Sequence, residues 1–391
     1  MIRWIKRIEN CNHLLNFVIM KTSLCRFIFI SLLYVGMTSC SSYIESSNDL
    51  SSDGSANCYI VSREGTYKFS AVKGNSSETL GKVSSIEVLW ESFGDDYAPE
   101  VGSLIKSVDF NNNYIAFQTA EVFKKGNAVI AAKGAKGKII WSWHIWFTDH
   151  PQNQVYYNNA GIMMDRNLGA TSAVPGDIHA HGLLYQWGRK DPFMGPTSIT
   201  SKAVSTIIWP TPVESTPSTG TIEYSIANPT TFIGYYNVND FQQEIKDWCC
   251  EKGNSIVKNR WTESIHSKSI YDPCPVGWRV PNGGLSPIWM TALGSIAQLK
   301  SCSYDYANHG MDFSTKLGDS YPIWYPAMGY RVSVSTDGDG LYDLCDYGEY
   351  WSASSFSEST SSCFYIDSNG NVNPVGIQSR IKPLYVRCIK E

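Results

Sequence analysis

Asp272-Pro-Cys-Pro-Val-Gly-Trp-Arg-Val-Pro281 holds three prolines and one glycine within ten residues. This composition leaves the backbone few conformations, so the stretch predicts a rigid extended corner and not a helix. Cys274 within the corner needs a partner. One candidate is Cys388, which lies in a short apolar and β-branched run, Tyr385–Ile389, that indicates a closing strand. A disulfide that closes a loop of roughly 100 residues would stabilise the domain by about 4.7 kcal/mol in the chain-entropy model, less any native strain.

Five further motifs accompany this corner in a set order along the chain. They are Gly161–Leu168, Gly182–Gly188, Pro326–Arg331, Tyr350–Ser354 and Val386–Lys390. Together with the corner they resemble the Fibrobacter succinogenes major paralogous domain, a family of exported bacterial modules, over about residues 155–391. The resemblance implies a C-type-lectin-like arrangement. One departure is Asn282–Pro287, which stands before Trp289 where the family has an acidic, Trp-containing helix start.

The composition is that of a globular protein. With 391 residues, of which 43% are hydrophobic and 17% charged, the chain can bury a full core, and its length suggests about two domains. Its 32 basic and 36 acidic residues give a formal net charge of −4. Because this balance creates no basic field, and no basic run lies outside the N-terminus, we expect no nucleic-acid partner.

Residues 1–39 have the pattern of an export signal. Basic residues follow Met20, Phe27–Val35 is an apolar run, and Met37–Cys40 is a small-residue cleavage site that ends in cysteine. The pattern resembles a bacterial lipoprotein signal that starts at Met20. The alternative, a membrane-spanning anchor, is disfavoured because the apolar run is well short of the ~20 residues that a spanning helix needs. The resemblance implies lipidation at Cys40 and a lipid anchor in the outer membrane, with the protein at the cell surface.

Residues 40–57 follow the lipidation site and are polar and Ser-rich. Such a composition buries too little apolar surface to order itself. The sequence therefore predicts a flexible tether that holds the folded domains off the membrane.

Residues 58–150 show a β pattern of short apolar runs between Gly, Asn and Ser. The runs are Cys58–Val61, Tyr67–Phe69, Ser85–Trp90, Asn113–Phe117, Ala128–Ala131 and Lys138–Phe147. Their spacing predicts an all-β immunoglobulin-like sandwich, and the region resembles N-terminal segments of fimbrillin-like surface lipoproteins. In the last run the odd-numbered residues share an apolar face. His144 lies on the other face, where we expect a half-buried or solvent-facing histidine.

Residues 151–391 combine candidate helices with later β runs, which predicts an α+β module. Phe241, Ile245 and Trp248 recur at helical spacing, and a second apolar stripe spans Trp289–Leu299. A further segment, Asp177–His181, places two histidines on one side of a strand as a possible metal half-site. No convincing third ligand is nearby and glycines bracket the segment, so a solvent loop is the favoured interpretation.

Eight cysteines remain beyond residue 40, and an even number in an exported chain suggests disulfides. The sequence cannot choose among the connectivities. After Cys274 with Cys388, the second pair that we predict is Cys345 with Cys363. Zinc is the rival interpretation, but no paired C-x-x-C spacing supports it.

Signatures of common enzyme classes are missing from the sequence, including G-x-S-x-G, H-E-x-x-H, the P-loop and the dinucleotide-binding glycines. Formylglycine-generating oxidases, whose fold is similar to lectin-like domains, carry a reactive cysteine pair with four intervening residues. At that spacing before Cys388 this chain has Pro383. We therefore expect no enzymatic activity.

Ligand binding is the positive hypothesis. The 13 Trp and 23 Tyr exceed what strand cores need, and exposed rings can stack on sugars or anchor a protein surface. Asp337, Asp339 and Asp343 offer clustered oxygen ligands for Ca²⁺, although Asp-Gly-Asp-Gly is also ordinary hairpin chemistry. We expect an adhesion or ligand-binding module whose partner is a glycan or a surface protein. The alternative is a structural or tip component of a pilus or other surface assembly.

Overall fold

The computed structural model describes residues 47–198, 201–234, 247–251, 259–264, 267–284, 287–293, 304–313, 323–331 and 341–391. Asp49–Glu391 forms one compact unit, and Met1–Asn48 forms a second, of which only Ser47 and Asn48 are described. The described part of the chain is mostly β-sheet, distributed over several sheets. Its helices are short: α1 spans Ile222–Ala227 and α2 spans Ile288–Leu293, with single 3₁₀ turns at Ala135–Gly137 and Ile178–Ala180.

Within these ranges the strands are β1 (Asn48–Asp49), β2 (Cys58–Val61), β3 (Thr66–Ser70), β4 (Ser85–Ser92), β5 (Ile105–Asn111), β6 (Tyr114–Thr119), β7 (Gly126–Lys133), β8 (Ile139–Phe147), β9 (Asn153–Tyr156), β10 (Gly161–Met164), β11 (Leu184–Gln186), β12 (Thr262–Ser264), β13 (Ser267–Lys268), β14 (Trp278–Arg279), β15 (Tyr304–Asp305), β16 (Gly310–Asp312), β17 (Trp324–Pro326), β18 (Met328–Arg331), β19 (Leu341–Leu344), β20 (Tyr347–Ser355), β21 (Thr360–Asp367), β22 (Val372–Ser379), β23 (Pro383–Tyr385) and β24 (Ile389–Lys390).

The strands up to Phe147 form two sheets that face each other. One has the order β2-β8-β7-β4, with β2 parallel to β8 and the other neighbours antiparallel. The other has the order β3-β6-β5, with the Asp49 end of β1 beside β3. Phe69 of β3 meets Trp143 of β8 edge to face, with 5.3 Å between ring centroids, inside a core that both sheets fill. The six predicted runs are confirmed as strands, and β5 is a further strand that was not predicted.

β8 is buried on both faces. Trp141, Trp143, Ile145 and Phe147 face the core between the two sheets. Trp146 belongs to a second core, which it shares with residues beyond 160. The expectation for His144 is therefore wrong: this histidine is buried, and its Nε2 lies 2.9 Å from Asn127 Oδ1. The physical reason is that the second face of the sheet packs against the C-terminal part of the chain and not against water.

The prediction of a flexible tether is wrong for its last nine residues, 49–57. Leu50 N donates to Lys68 O at 2.8 Å, and Asp49 Oδ1 accepts hydrogen bonds from both the backbone and the hydroxyl of Ser51. Ala56 and Asn57 are buried. The composition predicted disorder because the segment has little apolar surface to bury. Hydrogen bonds of its short polar side chains order it instead. The lipidation site, Cys40, lies outside the described residues.

The C-terminal part is built around two larger sheets. One has the order β14-β24-β10-β9, so strands from near both ends of this part pair with each other. The other has the order β11-β23-β20-β21-β22. The predicted stripe at Trp289–Leu299 is a helix over Ile288–Leu293, and the residues after Leu293 lie outside the described part. The candidate helix through Phe241 and Ile245 also lies outside it.

The predicted corner is confirmed, together with its disulfide. Cys274 is bonded to Cys388, with Cα atoms 6.1 Å apart. The buried carboxylate of Asp272 accepts from Cys274 N at 2.8 Å and from Val280 N at 2.9 Å. It therefore links the beginning of the corner to its end. Lys268 Nζ donates to backbone carbonyls of the same corner, at 2.9 Å from Pro275 O. Burial raises the pKa of Asp272 to about 6.

Cys345 and Cys363 do not form the second predicted disulfide, since both are free thiols. In the β20–β21 ladder Tyr347 pairs with Asp367 and Trp351 pairs with Cys363. Cys345 precedes Tyr347, so it lies past the Tyr347–Asp367 end of the ladder, whereas Cys363 lies within the ladder. At a rise of ~3.3 Å per residue the two positions are about 20 Å apart along the strands, and a disulfide needs Cα atoms within about 7 Å.

Candidate functional site

An open cavity of about 190 Å³ lies on one face of the five-stranded sheet, beside its edge strand β22. We call it the β22 cleft. Its lining comes from three neighbouring strands and consists of Glu349, Cys363, Tyr365, Asn373, Gly376, Ile377 and Gln378.

The strand register brings these side chains together. Glu349 of β20 pairs with Tyr365 of β21, and Tyr365 pairs with Asn373 of β22. Residues directly opposite each other in antiparallel strands point to the same side of a sheet. Gly376 pairs with Cys363, and a Cβ added to it would lie 3.1 Å from both the Sγ and the carbonyl oxygen of Cys363. The absence of a side chain at Gly376 therefore keeps the cleft open.

Two amide side chains in the cleft have defined orientations. Gln378 Nε2 donates to Glu349 Oε1, and Asn373 Oδ1 accepts from Val375 N at 3.0 Å. A primary amide has one acceptor oxygen and one donor nitrogen. Gln378 Oε1 is consequently the acceptor that remains for a ligand, and Asn373 Nδ2 is the donor.

The charged group of the cleft is neutralised within the protein. Lys382 Nζ lies 3.4 Å from Glu349 Oε2, and both side chains are buried. The same ammonium lies 3.5 Å from the centroid of the Tyr330 ring. Burial, with the negative charge of Glu349, raises the pKa of Cys363 well above its usual value. The thiol is therefore protonated at neutral pH and is a poor nucleophile.

Tyr365, which lines the cleft, packs against a second tyrosine ring. The rings of Tyr347 and Tyr365 have centroids 5.4 Å apart. The Tyr365 hydroxyl donates to Asp367 Oδ2 at 2.8 Å, which fixes the ring. Burial raises the pKa of Tyr365, and the carboxylate of Asp367 raises it further. A fixed and only partly buried ring of this kind offers a flat apolar surface to a ligand.

Most of the predicted calcium loop lies outside the described residues. Asp337 and Asp339 lie outside the described residues. Asp343 lies in β19, is exposed and has a φ of 54°. In the described ranges no three His, Cys, Asp or Glu side chains group closely enough to hold a metal ion. Calcium remains a prediction.

The two histidines of the possible half-site do not act together. His181 is buried, its Nδ1 lies 3.1 Å from Pro196 O, and burial lowers its pKa to about 4. His179 is half-exposed, with Nδ1 3.0 Å from Asp177 Oδ1 and Nε2 3.5 Å from Asp95 Oδ2. The solvent-loop interpretation therefore describes His179 and is wrong for His181, which the fold buries beneath the chain at Pro196.

A serine, a lysine and an aspartate meet elsewhere in the molecule. Ser142 Oγ donates to Asp191 Oδ1 at 2.6 Å, and Lys190 Nζ lies 2.8 Å from the same oxygen. Serine beside lysine is a known nucleophile arrangement. All three residues are buried, and the proton of the hydroxyl is directed at the carboxylate. The cluster thus ties β8 to the C-terminal part and is closed to a substrate.

The sequence analysis missed the β22 cleft. The local signal was present, because Tyr347 and Glu349, like Cys363 and Tyr365, are spaced two residues apart and so share a face of their strand. What the sequence did not reveal was the register of β22, in which the ladder shifts between Cys363 and Tyr365.

Comparisons of the chain with protein-family models, with curated proteins and with solved structures found no match. No helix among the described residues is both long enough and apolar enough to span a membrane.

Proposed function

We propose that this protein is a lipid-anchored cell-surface lipoprotein that recognises glycans through the β22 cleft, without catalysis. The observation that carries the proposal is one cavity that combines the face of Tyr365 with the oriented amides of Asn373 and Gln378. Aromatic faces and amides suit the apolar faces and the hydroxyls of sugars, respectively. A cavity of about 190 Å³ is below the roughly 300–1,000 Å³ of drug-sized sites, so the ligand that we propose for it is a single sugar ring.

The strand order supports an immunoglobulin-like assignment for the N-terminal sheets. When β1 to β8 are named A, A′, B, C, D, E, F and G in chain order, the two sheets become A-B-E-D and A′-G-F-C. This is the arrangement of immunoglobulin-type sandwiches. Support for a lectin-like C-terminal module of the Fibrobacter succinogenes major paralogous type comes from the pairing of β10 with β24 and from the disulfide that closes the module.

The disulfide between Cys274 and Cys388 also supports export, because such bonds persist in oxidising compartments. A lipoprotein signal with lipidation at Cys40 would place the protein at the outer membrane, with its cleft available to glycans outside the cell.

A role in a pilus or other surface assembly is the second candidate, and the edge strand β22 favours it. This strand is eight residues long, and its Val375 and Ile377 are exposed. A long apolar edge can accept a strand from another protein. Under this alternative, Val375→Lys would abolish self-association of the purified chain, measured by light scattering, whereas Val375→Leu would preserve it. A monomeric parent chain would exclude self-assembly through this edge.

The test of the glycan proposal is a glycan array probed with the purified chain, with and without Ca²⁺. Tyr365→Ala should lose binding, whereas Tyr97→Ala, a matched change in an exposed loop of the N-terminal sheets, should retain it. The variant with alanine at Asp337 and Asp339 tests the calcium prediction separately. If the parent chain binds no glycan in either condition, the proposal is wrong.

A further inference from the structure

We infer that the β22 cleft selects a neutral sugar, and that the buried ion pair of Glu349 with Lys382 sets this selectivity. The inference rests on the proposed glycan function and names the chemical class of its ligand. Glu349 is the one charged residue that lines the cavity among the residues that the structure describes. Its carboxylate is compensated within the protein by Lys382, at 3.4 Å.

Burial makes this compensation effective. The side chains of Glu349 and Lys382 are 2% and 6% exposed, so water screens their mutual attraction little. A ligand carboxylate in the cleft would meet no uncompensated cation, and a ligand ammonium would meet no uncompensated anion. Either charged ligand would lose hydration without gaining a partner. A neutral ring avoids this loss of hydration.

Glu349 has a second role as a positioning residue. Because its Oε1 accepts from Gln378 Nε2, it holds the amide nitrogen of Gln378 and leaves Gln378 Oε1 as the acceptor for a ligand. Asn373 Nδ2 is the complementary donor, since Val375 N occupies Asn373 Oδ1. One acceptor and one donor beside the Tyr365 ring match hydroxyl groups, which both donate and accept.

The experiment compares sugars that share a ring and differ in charge. Methyl glucoside, methyl glucuronide and methyl glucosaminide, with the matching galactose series, are titrated onto the full chain by NMR at neutral pH. The neutral glycosides should bind most tightly, by about fivefold over the charged ones. Their affinity should also be the same at low and high salt, because no net charge is involved.

Two variants each remove one charge of the ion pair and leave the cavity in place. Glu349→Gln retains an acceptor for Gln378 and removes the negative charge that faces Lys382, so the preference should shift toward the glucuronide by about fivefold. Lys382→Met leaves the carboxylate uncompensated and should shift the preference toward the glucosaminide. Thermal unfolding identifies a variant that fails to fold, and the salt series on the parent chain then carries the test alone.

The outcomes separate this inference from the proposed function. The neutral-sugar inference is overturned if the parent chain binds a charged glycoside most tightly, or if its affinity for the neutral glycosides depends on salt. Glycan binding itself would remain in place. Binding of neither sugar series overturns the proposed function and the inference with it.

Discussion

The side chain of Asn57 donates from Nδ2 to the backbone carbonyl of Asp272 at 2.8 Å, across 215 positions of sequence. The same nitrogen donates to Ile270 O at 2.7 Å, and Asn57 Oδ1 accepts from Trp141 Nε1 at 3.0 Å. One buried amide therefore joins the N-terminal sheets to the proline-rich corner. Its partners are two backbone carbonyls and a core indole, so a substitution would remove three hydrogen bonds at once.

We expect Asn57→Ala to lower the free energy of unfolding by about 3 kcal/mol, because it leaves the Trp141 indole and the Ile270 carbonyl without this partner, whereas Asp272 O keeps the hydrogen bond from Asn75 Nδ2. Urea denaturation followed by tryptophan fluorescence measures the change. Gln152→Ala removes an exposed amide that donates to His150 O, and it should cost less than about 0.5 kcal/mol. Equal effects of the two substitutions would show that Asn57 does not join the two parts.

The disulfide should stabilise the chain mainly through the unfolded state. Cys274 and Cys388 are separated by 114 positions, so replacing both by alanine should lower the unfolding free energy by about 4–5 kcal/mol. Urea denaturation of the oxidised parent and of the double variant gives this difference. Cys345→Ala removes a free thiol and should change stability by less than about 1 kcal/mol. A double variant as stable as the parent would mean that the bond contributes only rigidity.

His144 should make stability depend on pH. Burial lowers its pKa from 6.5 to about 3, so in this interval the unfolded chain binds a proton that the folded chain does not. The stabilising contribution of neutral His144 is complete above pH 6.5 and is lost as the pH falls toward 3. Relative to His144→Gln, the parent should lose about 3 kcal/mol of stability between pH 6.5 and 4. Parallel stability curves for the two proteins would contradict this.

The strand pattern of the N-terminal part could be predicted from local sequence because Gly, Asn and Ser separate its apolar runs. The burial of His144 could not be predicted, since alternation shows which residues share a face but not what covers that face. The corner was predictable because proline restricts the backbone locally. The predicted disulfide between Cys345 and Cys363 was wrong, and the β22 cleft was not predicted. The reason is the same, because both depend on the register between neighbouring strands, which local sequence does not reveal.

Gly376 should control access to the β22 cleft. Its added Cβ would lie 3.1 Å from Cys363 Sγ, so Gly376→Val pushes methyl groups into the cavity that the sugar would occupy. We expect glycan affinity to fall by about tenfold or more, which corresponds to ~1.4 kcal/mol, with a loss of stability of about 1–2 kcal/mol from overpacking. Affinity is measured by titration with the tightest-binding glycan of the array, and stability by thermal unfolding.

Val375→Leu is the matched control, because it enlarges an exposed side chain in the same strand. Val375 does not line the cleft, so its enlargement should leave the affinity within about twofold of the parent, a difference of less than ~0.5 kcal/mol. Retained affinity in folded Gly376→Val would place the sugar elsewhere on the molecule. Equal losses in both variants would indicate that the whole edge strand, and not the cleft, contacts the ligand.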